Sequence, residues 1–344
     1  MKVSIIGATG YAGAELVRLI ACHPQAELIA ITSESQTGTP FHEVYPHLRG
    51  ICEQKLASLQ DIDEIAAASD VLFIALPHGH AMKVGQKLTG SAVKLIDLGA
   101  DYRFTDRKIY EEWYKVPHTH PGANAVYGLT ELFRDDVKTA TIVGNPGCFT
   151  TASILALAPL AKAGLVDLKN IVVDAKSGVS GAGRGLSLNA HYSETADSMK
   201  PYGIATHRHT PEIEQALARI SGQDVLLNFT PHLVPMTRGI LATCYATMKP
   251  GVTAKQVDEA YYDLYAKEFF IRLLGRGGYP VTKNTRGSNY CDLAWHIDER
   301  TGRVIAVSAI DNLVKGAAGQ AVQNMNVMFG CDETAGLKQV PIFP

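Results

Sequence analysis

Short, unbroken apolar runs separated by glycine-rich and polar breaks mark the first part of the chain. They are Lys2-Val3-Ser4-Ile5-Ile6, Glu27-Leu28-Ile29-Ala30-Ile31, Val71-Leu72-Phe73-Ile74-Ala75-Leu76, Lys94-Leu95-Ile96-Asp97-Leu98 and Thr141-Ile142-Val143-Gly144. Runs of this kind read as strands buried on both faces, the signature of a parallel sheet flanked by helices. Residues 14–20, between the first two runs, place apolar side chains at helical spacing, so strand, turn and amphipathic helix follow one another. After residue 148 the pattern changes. Residues 171–175, 225–229 and the long run 240–248 predict a larger mixed or antiparallel sheet, with helices such as 254–267 on one face. Residues 315–325 read as a helix of small residues able to pack closely on the first domain.

The turn after the first strand is Gly7-Ala8-Thr9-Gly10-Tyr11-Ala12-Gly13. In a strand–turn–helix setting, glycines at this GxxGxxG spacing allow a tight turn, let backbone approach a pyrophosphate and pack helix on strand. This predicts a Rossmann-type doubly wound dinucleotide site made by Gly7, Thr9, Gly10, Tyr11, Ala12 and Gly13. The fold class is α/β, with an α+β catalytic and dimerisation domain built on the larger sheet. The first domain takes residues 1–147 plus about 312–344, and the second 148–311. The adenosine ribose falls at Thr32-Ser33-Glu34-Ser35-Gln36. Ser33 and Ser35 suit the 2′-phosphate of NADP, whereas Glu34 suits the ribose of NAD. The loops 77–80 and 99–103 also leave carboxyl ends of strands, where ligands bind, and Pro77 is a cofactor candidate there.

Chemistry concentrates at Asn145-Pro146-Gly147-Cys148-Phe149-Thr150-Thr151. A strand ends there and an apolar helix begins, so Cys148 lies in a helical first turn. Free N–H groups and the positive end of the macrodipole favour a thiolate at such a place. A thiolate beside a nicotinamide cofactor suggests redox chemistry at the acyl level through a thioester, which also needs a proton donor and acceptor. The candidates are His207 and His209 in Thr206-His207-Arg208-His209-Thr210-Pro211-Glu212. Thr210 reads as an N-cap with Pro211 at the first helical position, and Glu212 as a first-turn carboxylate that joins the candidate catalytic set. No third and fourth ligands accompany His-x-His, so no metal is expected.

Composition narrows the class. Net charge is −2 over 344 residues, with no basic stripe for nucleic acid, and no apolar run approaches membrane-spanning length. The six cysteines lack a CxxC pair, which argues for a reducing compartment, expected to be the cytoplasm. The expected partners are a small-molecule substrate and a second copy of the chain, as a dimer or tetramer.

Six segments together resemble the N-acetyl-gamma-glutamyl-phosphate reductases, which belong with the aspartate-semialdehyde dehydrogenases. They are the glycine turn, Asp97-Leu98-Gly99-Ala100-Asp101-Tyr102-Arg103, Asn145-Pro146-Gly147-Cys148, Ser177-Gly178-Val179-Ser180-Gly181-Ala182-Gly183-Arg184, the His207 to Glu212 motif, and Gly336-Leu337-Lys338-Gln339-Val340-Pro341-Ile342-Phe343-Pro344. The resemblance implies NADPH-dependent reduction of N-acetyl-glutamyl 5-phosphate through a Cys148 thioester. It implies arginines on phosphate and carboxylate, for which Arg103, Arg208 and Arg238 are candidates, and Asn312 on the nicotinamide side. Ser177 and Gly178 open a stretch whose backbone N–H groups are candidates for the phosphates or nicotinamide. Phe149-Thr150 departs from the commoner Tyr-Pro, read here as a packing change. A sister enzyme acting on aspartyl phosphate, and a reductase of carrier-bound amino-adipyl or glutamyl phosphate, would use the same machinery. The histidine motif and carboxy terminus argue against the first, and the second calls for a basic rim at the pocket. A silent dinucleotide sensor would lack the cysteine or the histidines, and both are present.

Overall fold

The computed structural model describes all residues, Met1–Pro344. It divides into two compact units, Met1–Gly147 with Ala317–Gln339 and Cys148–Gly316 with Val340–Pro344. The chain thus re-enters the first unit at Ala317 rather than near 312, and residues 340–344 group with the second unit.

The first unit is built on six parallel strands: β1 (Lys2–Ile6), β2 (Glu27–Ile31), β3 (Val71–Ile74), β4 (Lys94–Asp97), β5 (Ala125–Tyr127) and β6 (Ile142–Gly144). Their order is β2-β1-β3-β4-β6-β5, so the connections diverge on either side of β1, and the switch point of the sheet lies at the carboxyl ends of β1 and β3. Val71, Leu72, Phe73 and Ile74 are all at 0% exposure, which is why these strands read as unbroken apolar runs. The three-residue β5 is too short to show a period.

Every residue of the helix Gly319–Met328 is buried, including Gln320, Gln323, Asn324 and Asn326. Four amides in a core require partners. Gln320 donates to Thr130 Oγ1 at 2.7 Å, and Thr130 donates on to Asn324 Oδ1 at 2.7 Å. Asn324 Nδ2 donates to Gly128 O at 2.8 Å and Asn145 Oδ1 at 3.0 Å. Gln323 donates to Glu131 and Glu333.

The second unit carries seven strands: β7 (Val166–Gly178), β8 (Lys200–Pro201), β9 (Leu227–Val234), β10 (Ile240–Met248), β11 (Ile271–Arg276), β12 (Cys291–Asp298) and β13 (Arg303–Ile310). The order is β11-β12-β13-β10-β7-β9-β8. The β11/β12 and β7/β9 pairs are parallel and the others antiparallel, which makes the sheet mixed. Along β10, Ile240, Ala242, Cys244 and Ala246 point to one buried face. The helix Cys148–Lys162 lies against β10, β13 and β7, with the helices Thr210–Ser221 and Ala254–Tyr265 beside it.

That central helix is buried from Phe149 to Ala161, so it shows no amphipathic stripe. It also contains Pro159, whose missing N–H leaves the Leu155 carbonyl without its helical donor. The Tyr265 hydroxyl donates to that carbonyl at 2.9 Å, and Tyr261 donates to Ala156 O at 2.7 Å. Tyr265 therefore fills the gap that Pro159 leaves, and Tyr261 from the same helix also stacks on Trp295 with ring centroids 4.0 Å apart.

Candidate active site

In the first unit the turn after β1 is shaped by close approach. Gly7 has φ +88°, and a Cβ there would lie 2.7 Å from the Ala75 carbonyl oxygen at the end of β3. A Cβ at Gly13 would lie 2.5 Å from Gly7 O, so helix and turn touch through hydrogen atoms alone. Gly10, by contrast, has room for a Cβ, its nearest such neighbour being Gly7 O at an ordinary contact distance of 3.8 Å. It precedes the first residue of the helix Tyr11–Ile20, whose N-terminal amides are aimed outward. The cradle therefore fits a pyrophosphate. Gly7 N donates to Thr32 Oγ1 at 3.2 Å, and the hydroxyls of Thr9 and Ser33 lie 3.0 Å apart. Ser33 is buried, whereas Glu34 and Ser35 are exposed on the loop beyond.

The loop after β3 is held from beneath by Asp101. Its carboxylate accepts from Gly79 N at 2.7 Å, Met82 N at 3.0 Å and the Tyr110 hydroxyl at 2.8 Å. This fixes the loop that carries Pro77 and caps the helix Ala81–Lys87. Burial, with the Asp101 charge beside it, pushes the Asp97 carboxyl up to about 7, and Arg103 pulls the other way. Arg103 itself is buried, donating from Nε to Asn145 O at 2.8 Å and from Nη2 to Leu98 O at 3.1 Å. Its guanidinium thus lies beneath the segment that leads to Cys148.

In the second unit Cys148 is the first residue of the helix Cys148–Lys162. It is half-buried, while every other residue from 143 to 161 is buried. Phe149 carries the histidines: the rings of His207 and His209 each lie edge-on to it with centroids 6.0 Å away, and 4.7 Å from each other. The His209 backbone N–H donates to His207 Nδ1 at 3.2 Å, so neutral His207 carries its proton on Nε2. Burial, and secondarily the Arg208 charge, lower the His207 pKa to about 4. Glu212 is fully buried and accepts from Thr150 Oγ1 at 2.8 Å. Thr150 therefore does more than pack: a proline there could not make this bond. Tyr202 lies against His207, centroids 5.4 Å apart. Burial and the Cys148 thiol hold its hydroxyl well above the usual phenol range.

Two expectations are corrected. Thr210 does not cap its helix: His209 occupies the cap position, and Thr210 Oγ1 is buried without a hydrogen-bond partner. The Ser177 stretch does not offer a run of free amides either. Gly178, Val179 and Ser180 donate to the carbonyls of Gly239, Met236 and Thr237, because the backbones meet where a Gly178 Cβ would lie 2.8 Å from Met236 O. Asn312 is engaged at both ends, donating to Ser180 Oγ at 2.9 Å and accepting from Gly239 N at 2.8 Å. Arg208 is exposed, and Arg238 lies 3.5 Å from buried Asp311. Tyr202, Gly316 and Asp311 were not singled out from sequence. Asn145 was, but only as part of the cysteine motif.

A doubly wound sheet with a glycine cradle, joined to a mixed-sheet unit that opens on a half-exposed cysteine, defines the semialdehyde dehydrogenase class. Residues 2–140 match the family model described as semialdehyde dehydrogenase, NAD binding domain, and residues 148–312 the one described as semialdehyde dehydrogenase, dimerisation domain. The fold is that of aspartate semialdehyde dehydrogenase II from Vibrio cholerae, with a TM-score of 0.73 at 17% identity, covering 96% of this chain and 98% of that one. An aspartate semialdehyde dehydrogenase with NADP from Candida albicans gives a TM-score of 0.71 at 15% identity, covering 95% and 98%. Proteins named N-acetyl-gamma-glutamyl-phosphate reductase from Desulforamulus reducens and Pelotomaculum thermopropionicum are 54% and 53% identical over 100% of this chain and 100% and 99% of their own. The chain belongs to the N-acetyl-gamma-glutamyl-phosphate reductase family.

Replacing Thr150 by Val keeps the shape and removes a donor from a buried carboxylate. It should destabilise the protein by on the order of 1–3 kcal/mol in urea titrations. Folding also lowers the His207 pKa from 6.5 to about 4, so the unfolded chain binds this proton more readily. The resulting stability is complete above pH 6.5 and is lost as pH falls towards 4. Urea midpoints at pH 7 and 4.5 should differ less in His207→Phe than in wild type.

Proposed function

We propose that this chain reduces N-acetyl-L-glutamyl 5-phosphate to N-acetyl-L-glutamate 5-semialdehyde and phosphate, with NADPH as reductant and Cys148 as nucleophile. The observation that carries this reading is the exposure of Cys148, alone in an otherwise buried segment, at a helix N-terminus and one residue from the aromatic ring on which both histidines rest. The full-length likeness to reductases of that name supports the substrate.

The Cys148 thiolate attacks the acyl carbon, the carbon–sulfur bond forms, and phosphate leaves with its bridging oxygen. The nicotinamide cofactor, when bound, would supply the hydride that reduces the thioester to a thiohemiacetal. The new oxygen takes a proton, then loses it again as the carbon–sulfur bond breaks, releasing the aldehyde and restoring the thiolate. Neutral His207, with its proton on Nε2, suits hydrogen bonding to the carbonyl oxygen rather than proton exchange near pH 7. His209 remains as the acid and base. Glu212 holds Thr150 and with it the first turn that carries the thiol. Arg208 and Arg238 are the candidates for the substrate's phosphate and carboxylate, whose planar anions match the guanidinium fork.

We read Gly7, Thr9, Gly10, Tyr11, Ala12, Gly13 and Pro77 as the cofactor-binding set of the first unit. Ser33 and Ser35 would take the 2′-phosphate, with Glu34 turned to solvent. The second unit matches a model described as a dimerisation domain, which supports self-association. All six cysteines are free thiols, in keeping with a reducing compartment, and no helix is long and apolar enough to cross a membrane.

Cys148→Ala should lower turnover at least 100-fold while NADPH binding, followed by fluorescence titration, is kept. In wild type, iodoacetamide at pH 6.5 should label Cys148 before the exposed Cys22; the reverse order by mass spectrometry would count against an activated thiol. For the cofactor, kcat/KM should be higher with NADPH than with NADH, and Glu34→Gln should change that ratio little. A preference for NADH would make Glu34 a ribose ligand instead.

A further inference from the structure

Between β13 and the helix Gly319–Met328 the chain makes a π-helical turn, Val314–Ala318, in which Gly316 N donates back five residues to Asp311 O at 3.0 Å. Wide turns of this kind are rare and recur at functional sites. Here the turn brings Gly316 onto the nucleophile: a Cβ built at Gly316 would lie 2.8 Å from Cys148 Cβ, 3.2 Å from Cys148 Cα and 3.3 Å from Ile310 Cδ1. The first distance is closer than real Cβ atoms approach one another, and the second involves the backbone of the helix's first residue. No rotation of a flexible side chain relieves it.

The turn is braced on both sides. Asp311, at 0% exposure, accepts from Leu313 N at 2.8 Å, Val314 N at 3.3 Å and Gly287 N at 2.7 Å. One residue beyond Gly316, the Ala317 carbonyl accepts from Asn145 Nδ2 at 3.0 Å. Lys315 at 0% exposure, its Nζ 5.7 Å from the centre of the Phe270 ring, anchors the middle of the turn. A turn fixed at both ends cannot retreat when a side chain is added at its centre.

We propose that Gly316 is a positioning residue for Cys148: the bare backbone of the π-turn forms the wall against which the thiol-bearing Cα and Cβ are seated, and so sets the direction of the nucleophile. This rests on the reading of Cys148 as nucleophile, but the contact is testable apart from it. An added methyl at 316 should displace Cys148, leaving the cofactor cradle, built by other residues, unchanged.

The experiment compares wild type, Gly316→Ala, Cys148→Gly and the double variant Cys148→Gly/Gly316→Ala, reading Tm, iodoacetamide rate at Cys148 across pH, NADPH affinity and steady-state kinetics. Gly316→Ala should lower kcat at least tenfold, with NADPH affinity within twofold of wild type. It should also change the rate or pH midpoint of Cys148 alkylation, a readout that loss of stability alone would not move. In the Cys148→Gly background, where the opposing Cβ is gone, the same substitution should lower Tm by less than half as much as it does in wild type. If Gly316→Ala does not fold, the double variant should. A double variant that also fails to fold, equal Tm losses in both backgrounds, or wild-type kcat and alkylation in Gly316→Ala would each overturn the proposal. Retained activity in Cys148→Ala would instead sink the functional reading and leave the Tm coupling standing.

Discussion

Asn145 is the knot on which the rest of the site depends. Its backbone N–H donates to Asp97 O at 2.8 Å, and its carbonyl accepts from Arg103 Nε at 2.8 Å. Its side-chain Nδ2 reaches Ala317 O at 3.0 Å, and its Oδ1 accepts from Asn324 Nδ2 at 3.0 Å. A residue at 1% exposure thus has all its polar groups satisfied, which is the condition for burying an amide without large loss. The arrangement ties the outgoing chain after β6 to the returning chain at Ala317. Within the second unit, Cys148 and Gly316 are adjacent in space although far apart in sequence.

The same logic explains why polar residues fill the helix Gly319–Met328. Its amides form a chain running from Gln320 through Thr130 and Asn324 to Asn145. These hydrogen bonds favour one register, where an apolar helix of similar shape would accept several, although Gln320 Oε1 is buried without a partner. Asp101 does comparable work beneath the β3 loop, where one carboxylate holds two amides and a phenol.

Much of this was legible in the sequence. Parallel strands buried on both faces must be apolar throughout, so β1, β3 and β4 announced themselves, and the glycines at 7, 10 and 13 carried their own steric reason. Cys148 was readable because strand, break and helix follow at fixed spacing. What escaped was tertiary. The donors of Gly178, Val179 and Ser180 are engaged by residues about sixty positions away, and no local pattern shows it. Thr210 looked like a cap, yet the chain turns one residue earlier, where His209 has the backbone to start the helix. The π-turn is invisible to a 3.6-residue period, and the buried amides of Gln320, Asn324 and Asn326 argue against burial until their partners are known.

The Thr150–Glu212 bond joins the third residue of the cysteine's helix to the third residue of the histidines' helix, so the two N-termini are held together. Both present the positive ends of their dipoles, and such a field favours an anion and opposes a cation. Burial, with the Arg208 charge second, also opposes an imidazolium at His207 and lowers its pKa to about 4. The consequence is a division of labour fixed by electrostatics. The sulfur sits where negative charge is favoured, and neutral His207 carries its proton on Nε2 because the His209 amide donates to Nδ1. Had the histidines faced a helix C-terminus, the field would favour the imidazolium. A buried carboxylate that accepts from a hydroxyl on the neighbouring helix therefore holds two positive dipole ends side by side, while burial and Arg208 keep His207 neutral.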